Sequence, residues 1–239
     1  MPVSQVIRNP RCMLSSMRSE ITGDQDTTVK SSSINLKRIH DWNFDVTKIS
    51  STEVLCNIAE TIFISIGIFN ATTMHNFIFL KTFRIGALEI GVCPDTLRRF
   101  IAAVSRSYRD NSFHNFKHAV CVVHFLYKLL NPCSSKFSLD ARPSFCPSAL
   151  PPFIQFCVLV SALVHDCGHP GHTNAFEINN SSELAKIYDN SSVLENYHIS
   201  VALAILANPP TNILETFTEQ QVSIFENLLR GAIIELFFL

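Results

Sequence analysis

The stretches Phe-His-Asn-Phe-Lys-His (Phe113–His118) and His-Asp-Cys-Gly-His (His165–His169) decide the fold of this chain. Each stretch has two histidines four positions apart, and residues at that spacing on a helix share one face, roughly 6 Å apart. Neutral imidazole and carboxylate groups are the ligands that Zn²⁺ and similar divalent ions take. We therefore predict two helices of one bundle that direct ligands into a shared pocket.

The composition favours a packed globular protein. The chain has 239 residues, 47% of them hydrophobic, 19 phenylalanines and a net charge of −1. This balance argues against disorder, and the lack of a basic excess argues against nucleic acid as a partner. The most apolar stretch, Ile62–Phe69, is far shorter than the ~20 residues of a membrane span. Without an apolar signal segment at residues 1–18, we expect a cytoplasmic protein with eight reduced cysteines.

Turn residues and apolar periodicity divide the chain into a leader and a helical domain. Residues 1–40 are rich in Ser, Thr and Asp and are predicted to be a flexible leader, and residues 41–239 are predicted to be the folded domain. No structure is assigned to residues 71–93, and the proline-rich residues 131–152 are predicted to form a loop. The fold prediction is all-α, with helices over residues 52–70, from 94, and over 113–130, 153–164, 182–188, 193–207 and 219–239.

The histidines differ in how strongly they indicate a site. His114 and His118 could be ligands, surface residues or satisfied core groups. His124 is out of helical phase with His118 and is predicted to be structural, and His75 is predicted to be incidental. The pair His165-Asp166 ends an apolar helix, where burial without a partner would cost several kcal/mol. A metal ion would supply that partner.

Longer motifs around these histidines resemble the class I 3′,5′-cyclic nucleotide phosphodiesterases of the HD superfamily. The two main motifs are Phe-His-Asn-x-x-His-Ala at 113–119 and His-Asp-x-x-His-Pro-Gly-x-x-Asn at 165–174. A further signature runs from Glu183 to His198, and the residues at 42–46 and 97–100 also look like that catalytic domain. Phe113 and Cys121-Val122 are most similar to its high-affinity cGMP-specific branch. The resemblance implies a compact multi-helix bundle of the phosphodiesterase type.

The resemblance also implies a metal centre. His118, His165 and Asp166 would be ligands of a tightly held ion, usually Zn²⁺. Asp166 would also reach a second ion, usually Mg²⁺ or Mn²⁺, whose other ligands are mostly water. His169 and Glu195 would orient those waters from an outer position.

Two further roles follow from the same resemblance. His114 would not be a ligand but the proton donor to the leaving 3′-oxygen. Asn115 would be a structural hydrogen-bonding residue beside the site. Phe113 stands where many relatives have tyrosine, so one hydroxyl group near the site is missing.

The chain is expected to be incomplete at its C-terminus. The family's fourth metal-binding residue, an aspartate, follows the equivalent of the last helix. The purine-binding glutamine and the aromatic residue that stacks on the base lie further on as well. We therefore expect a fragment of weak or no activity, in which the substrate-binding residues are unknown.

Several functions fit these residues. The first is hydrolysis of cGMP or cAMP to the 5′-monophosphate in signal transduction, by a possible homodimer. The second is an HD-type phosphohydrolase for non-cyclic nucleotides, against which the signature ending at His198 argues. The third is a catalytically inactive interaction or regulatory module, and the fourth is a helical core whose histidines coincide by chance.

Overall fold

A computed structural model describes residues 36–68, 91–131 and 150–236. Every regular element within these ranges is helical, which confirms the all-α prediction. The α-helices are α1 (Thr52–Ser65), α2 (Pro94–Ser107), α3 (Phe116–Leu130), α4 (Pro152–Val164), α5 (Asn174–Asn179), α6 (Glu183–Ile187), α7 (Val193–Leu206) and α8 (Glu219–Gly231). Short 3₁₀ turns cover Leu36–His40, Val46–Lys48 and Pro209–Thr211, and a π-helical turn covers Ala232–Leu236.

The centre of the bundle is α4. Its residues Phe156, Leu159 and Leu163 are fully buried, as expected for a helix that is apolar on all sides. It packs against α3 and α8, while α1 packs against both α2 and α3. This arrangement brings the end of α4 close to the start of α3, which is where the site forms.

The first helix begins as predicted and ends earlier. The Ser51 hydroxyl accepts a hydrogen bond from the Val54 backbone N–H and caps α1. The helix stops at Ser65 because Gly67 adopts a left-handed φ of +78° just beyond it. The prediction that it continues through residue 68 is wrong, and residues 69 and 70 lie outside the described ranges.

The helix α3 begins later than its apolar pattern predicts. The side chain of Asn115 accepts a hydrogen bond from the His118 N–H, so Asn115 caps the helix and α3 begins at Phe116. The predicted start at Phe113 is therefore wrong. His114 lies before the helix, and it does not share a helical face with His118.

The later helices agree closely with the predictions. Ser182 caps α6, α7 spans Val193–Leu206, and a capping box between Thr218 and Gln221 opens α8. The short helix α5 was not predicted. Residues 237–239 of the last predicted helix lie outside the described ranges.

The folded body starts before the boundary predicted at residue 40. Ile39 is fully buried, and its carbonyl oxygen accepts a 2.8 Å hydrogen bond from His124 Nε2. This contact also confirms that His124 is structural. Residues 1–35 of the predicted leader, His75 and most of the predicted loop (132–149) lie outside the described ranges. Among the described residues, no helix is long and apolar enough to cross a membrane.

Candidate metal centre

The site is organised around the carboxylate of Asp166, whose side chain is 11% exposed. Its Oδ2 atom lies 3.0 Å from His114 Nδ1, 3.2 Å from His165 Nε2 and 3.7 Å from His118 Nε2. The predicted convergence of the two motifs on one pocket is thus confirmed. Three histidines from two distant parts of the sequence thus surround one oxygen atom of Asp166.

The end of α4 sets the orientation of His165. Its Nδ1 donates a 2.8 Å hydrogen bond to the Ala162 carbonyl oxygen, one turn back along the helix. In the neutral ring, Nε2 then carries the lone pair and faces Asp166. A backbone bond of this kind fixes the tautomer that a metal ion needs from a histidine ligand.

His118 is held in the first turn of α3 by the Asn115 cap, with a 3.0 Å hydrogen bond from its backbone N–H. The amide group of Asn115 in turn donates to the Asn111 carbonyl oxygen at 2.8 Å. The rings of His118 and His165 lie 5.3 Å apart between centroids. Asn115 thus connects the start of α3 to the segment before it.

The second oxygen of Asp166 faces a different histidine. Oδ1 lies 3.8 Å from Nε2 of His198, a buried residue of α7. His198 Nδ1 donates a 2.8 Å hydrogen bond to the Cys167 carbonyl oxygen, so its neutral ring also directs a lone pair at Asp166. Each carboxylate oxygen of Asp166 therefore faces a separate group of potential metal ligands.

His169 belongs to the second group, with its ligand atom within 4.8 Å of those of Asp166 and His198. The backbone N–H of Gly171 donates to His169 Nδ1 at 3.0 Å, so the proton of the neutral ring is on Nε2. A ring in this form donates hydrogen bonds and has no free lone pair for a metal ion. The geometry suits an outer position rather than a ligand position.

The electrostatics of the site keep Asp166 ionised and lower the pKa of three nearby imidazoles. Burial alone would raise the pKa of the Asp166 carboxyl, but the side chains of His165, His114 and His198 lower that pKa well below its usual range. Burial lowers the pKa of His118, and it lowers the pKa of both His169 and His198 to about 4. Neutral imidazoles around an ionised carboxylate are the donor set of a divalent cation site.

Glu195 lies in the first turn of α7 and is held by Asn174. The Asn174 amide group donates to both carboxylate oxygens, at 3.0 and 3.1 Å. Among the described contacts, none joins Glu195 directly to Asp166, so its predicted outer role stays a prediction.

Other residues of the motifs lie away from the centre or were missed. The side chain of His172 is 48% exposed and pairs with Glu177 at 3.1 Å, outside the cluster. No role was predicted from the sequence for Asn111, Asn174 or His198. The last two stand in the quoted motifs, which was a usable signal, whereas Asn111 lay in a polar break with no signal of its own.

A family model supports this arrangement. The model described as 3′5′-cyclic nucleotide phosphodiesterase matches residues 113–235, which is more than half of the chain and includes all four histidines that face the Asp166 carboxylate. The chain belongs to this phosphodiesterase family. Its helical fold and its polar cluster, which could hold a divalent ion, agree with that membership.

Individual relatives agree with the family assignment. The chain is 38% identical over 128 residues to the high affinity cGMP-specific 3′,5′-cyclic phosphodiesterase 9A of Pan troglodytes, covering 52% of this chain and 19% of the relative. It is 34% identical over 179 residues to the cGMP-specific 3′,5′-cyclic phosphodiesterase alpha of Plasmodium falciparum, covering 75% of this chain and 16% of the relative.

A solved structure has the same fold. The phosphodiesterase domain of the RhoPDE fusion protein from Salpingoeca rosetta aligns with a TM-score of 0.63 and 29% identity. The alignment covers 82% of this chain and 52% of the solved one. This chain therefore spans about half the length of that phosphodiesterase domain, and a smaller share of the curated relatives.

Proposed function

We propose that this chain hydrolyses a 3′,5′-cyclic nucleotide to the 5′-monophosphate, as part of cyclic nucleotide signalling. The observation that carries the proposal is the convergence of His114, His118 and His165 on Oδ2 of Asp166 within the region that matches the family. Both curated relatives described above are named cGMP-specific, so cGMP is the first substrate to test. Hydrolysis of cAMP is the alternative.

The proposed ligands of the first ion, Zn²⁺, are His118, His165 and Asp166. Three protein ligands with an open position are usual for catalytic zinc. The donor chemistry fits, because the bond from His165 Nδ1 to the Ala162 carbonyl leaves a lone pair on Nε2. The other oxygen of Asp166 would reach a second ion, Mg²⁺ or Mn²⁺.

Divalent ions at this centre would neutralise the phosphate charge and activate water as the nucleophile. The remaining tasks fall to the protein's own residues. Glu195, held by Asn174, and the Nε2–H of His169 would orient water around the centre. Asn115 would hold the start of α3 in place through its cap.

His114 is the proposed proton donor to the departing 3′-oxygen. Its Nδ1–H donates to Asp166 at 3.0 Å, so the proton available for transfer is on Nε2 of the charged ring. Its side chain is 41% exposed, the largest exposure among the histidines that face Asp166, which leaves room for a substrate. The proposal also includes a cytoplasmic location and a homodimer, and both remain predictions.

The direct test is hydrolysis by the purified full chain with Zn²⁺ and Mg²⁺, using cGMP and cAMP. We expect release of 5′-monophosphate, and a fall in kcat of ~10²–10⁴-fold in His114→Ala. The matched control is His172→Ala, because His172 pairs with Glu177 outside the cluster and should leave kcat unchanged.

Two other results would point elsewhere. Bound metal without turnover of any nucleotide would support the inactive interaction module. Turnover of non-cyclic nucleotides alone would support the HD-type phosphohydrolase. Elemental analysis that finds no bound ion, in a protein that is folded, would contradict the metal centre itself.

A further inference from the structure

One side chain joins the two histidine motifs. Asn111 Nδ2 donates to the His169 carbonyl oxygen at 2.9 Å and to the His114 carbonyl oxygen at 3.1 Å. Both hydrogens of one amide group are thus used on two carbonyls that come from different motifs. The imidazole rings of the same two residues are stacked, with centroids 4.0 Å apart and planes within 10°.

Asn111 is itself held on its other sides. Its backbone carbonyl oxygen accepts the 2.8 Å hydrogen bond from Asn115, which caps α3. A Cβ atom added at Gly171 would lie 3.3 Å from Asn111 Oδ1, and Gly171 has a left-handed φ of +88°. The side chain therefore fits closely against a turn that a glycine makes possible.

The segment that carries His114 depends on hydrogen bonds of this kind to fix its backbone. Residues 109–114 lie between α2 and α3 and, among the described contacts, make no helical hydrogen bonds. Among the described contacts, no hydrogen bond joins the two stacked rings, and the His114 ring is held on its other side by the bond from its Nδ1 to Asp166. The two bonds of Asn111 fix the backbone of both residues at once.

We propose that Asn111 is a positioning residue, which sets the ring of His114 against His169 and thereby against Asp166. It acts through backbone carbonyls and does not touch the reacting atoms. The kinetic consequence rests on the proposed function, but the structural consequence does not. A displacement of about 1 Å at a reacting group can reduce the rate about a hundredfold.

The structural test uses Asn111→Asp, which keeps the shape and removes both donor hydrogens, and Asn111→Ala, which adds no charge. The readout is the nuclear Overhauser effect between the imidazole protons of His114 and His169 in metal-free protein. We expect this signal to be lost in both variants. The control is Asn180→Asp, because Asn180 Nδ2 donates to the Phe176 carbonyl at 2.8 Å on an exposed surface.

The kinetic test compares kcat and KM for cyclic nucleotide. We expect kcat to fall about tenfold to a hundredfold in the Asn111 variants, with KM changed less than about twofold. Circular dichroism and thermal melting establish that each variant is folded. If Asn111→Asp does not fold, the test uses Asn111→Ala alone.

The two proposals fail separately. An unchanged ring–ring signal in folded Asn111→Ala would overturn the positioning role even if the chain is an active enzyme. A chain without hydrolytic activity would overturn the proposed function, while the magnetic resonance result would still decide the role of Asn111.

Discussion

The amide group of Asn174 binds both carboxylate oxygens of Glu195, at 3.0 and 3.1 Å, while its Oδ1 accepts the Leu194 backbone N–H at 2.9 Å. Ser192, at the N-cap position of α7, has a left-handed φ of +41° and makes no side-chain cap. Asn174 therefore caps α7 from another helix, and the same side chain orients the acidic residue in its first turn. One residue of the motif at 165–174 thus places a residue of the signature that runs from Glu183 to His198.

Replacing Asn174 with aspartate separates these two roles. Asn174→Asp keeps the acceptor for Leu194 but loses both donors and sets a second carboxylate beside Glu195. We expect the free energy of unfolding at pH 7 to fall by about 1–2 kcal/mol, measured by urea denaturation. Asn180→Asp is the control and should change it by less than about 0.5 kcal/mol. Equal effects of the two substitutions would contradict the orienting role.

Metal binding should stabilise the fold through Asp166. Zn²⁺ at a hundred times its Kd should raise the free energy of unfolding by about 2.7 kcal/mol, and a chelator should remove that gain. In Asp166→Asn we expect no stabilisation by the ion, as read by the melting temperature with and without Zn²⁺. The control is Asp189→Asn, since Asp189 is exposed and its φ of +51° also suits asparagine. A zinc-dependent shift that survives in Asp166→Asn would place the ion elsewhere.

Gly168 should tolerate no side chain, because an added Cβ would lie 3.0 Å from the ring of Tyr197, a buried residue. Its φ of +76° is also left-handed. We expect Gly168→Ala to lower the free energy of unfolding by about 2–4 kcal/mol.

Gly67 provides the matched control, with a φ of +78° and no atom within 4 Å of an added Cβ. Gly67→Ala should therefore show only the conformational cost, about 1–2 kcal/mol. Urea denaturation of both variants measures the difference. If the two glycines cost the same, the contact with Tyr197 contributes nothing.

The stability of metal-free protein should fall as the pH drops from 6.5 to 4. Burial lowers the pKa of His198 to about 4, so the unfolded chain binds its proton at a higher pH than the folded chain does. For His198 alone this linkage is worth about 3 kcal/mol across that range. His169, whose pKa is also lowered to about 4, adds to it.

The variant His198→Asn tests the assignment, because asparagine can still donate to the Cys167 carbonyl but does not titrate. Its free energy of unfolding should depend less steeply on pH between 6.5 and 4, as followed by urea denaturation at several pH values. A wild-type curve that is flat over this range would contradict the burial of these neutral imidazoles.

Lys128 is a candidate for stabilisation by substitution. It is 2% exposed, and its Nζ lies 5.1 Å from the Trp42 ring centroid with no hydrogen-bond partner in the part of the chain that the structure describes. Lys128→Met keeps the packing on Trp42 and removes a buried charge, so we expect a gain of about 1 kcal/mol. Lys186→Met, at an exposed position, should change stability by less than about 0.5 kcal/mol. A loss of stability in Lys128→Met would show that the charge is well satisfied.

Much of the fold could be predicted from local sequence signals. Ser51, Ser182 and Thr218 each cap the helix that follows them, as residues of this type usually do. The start of α3 was predicted wrongly because a local hydrogen bond competes with the apolar pattern. Asn115 caps α3, so His114 lies outside the helix, although the apolar pattern alone extends back to Phe113.

The sequence by itself determined the types of donor, the position of His165-Asp166 at the end of an apolar helix, and the family. Only the tertiary structure decided that His198 directs Nε2 at Asp166, because the tautomer of its ring depends on the Cys167 carbonyl, 31 positions away in the sequence. It also decided that Asn111 joins the two histidine motifs and that Asn174 joins the second of them to the signature that ends at His198. Hydrogen bonds reach only about 3 Å, so partners 21 or 58 positions apart are known only once packing has brought them together.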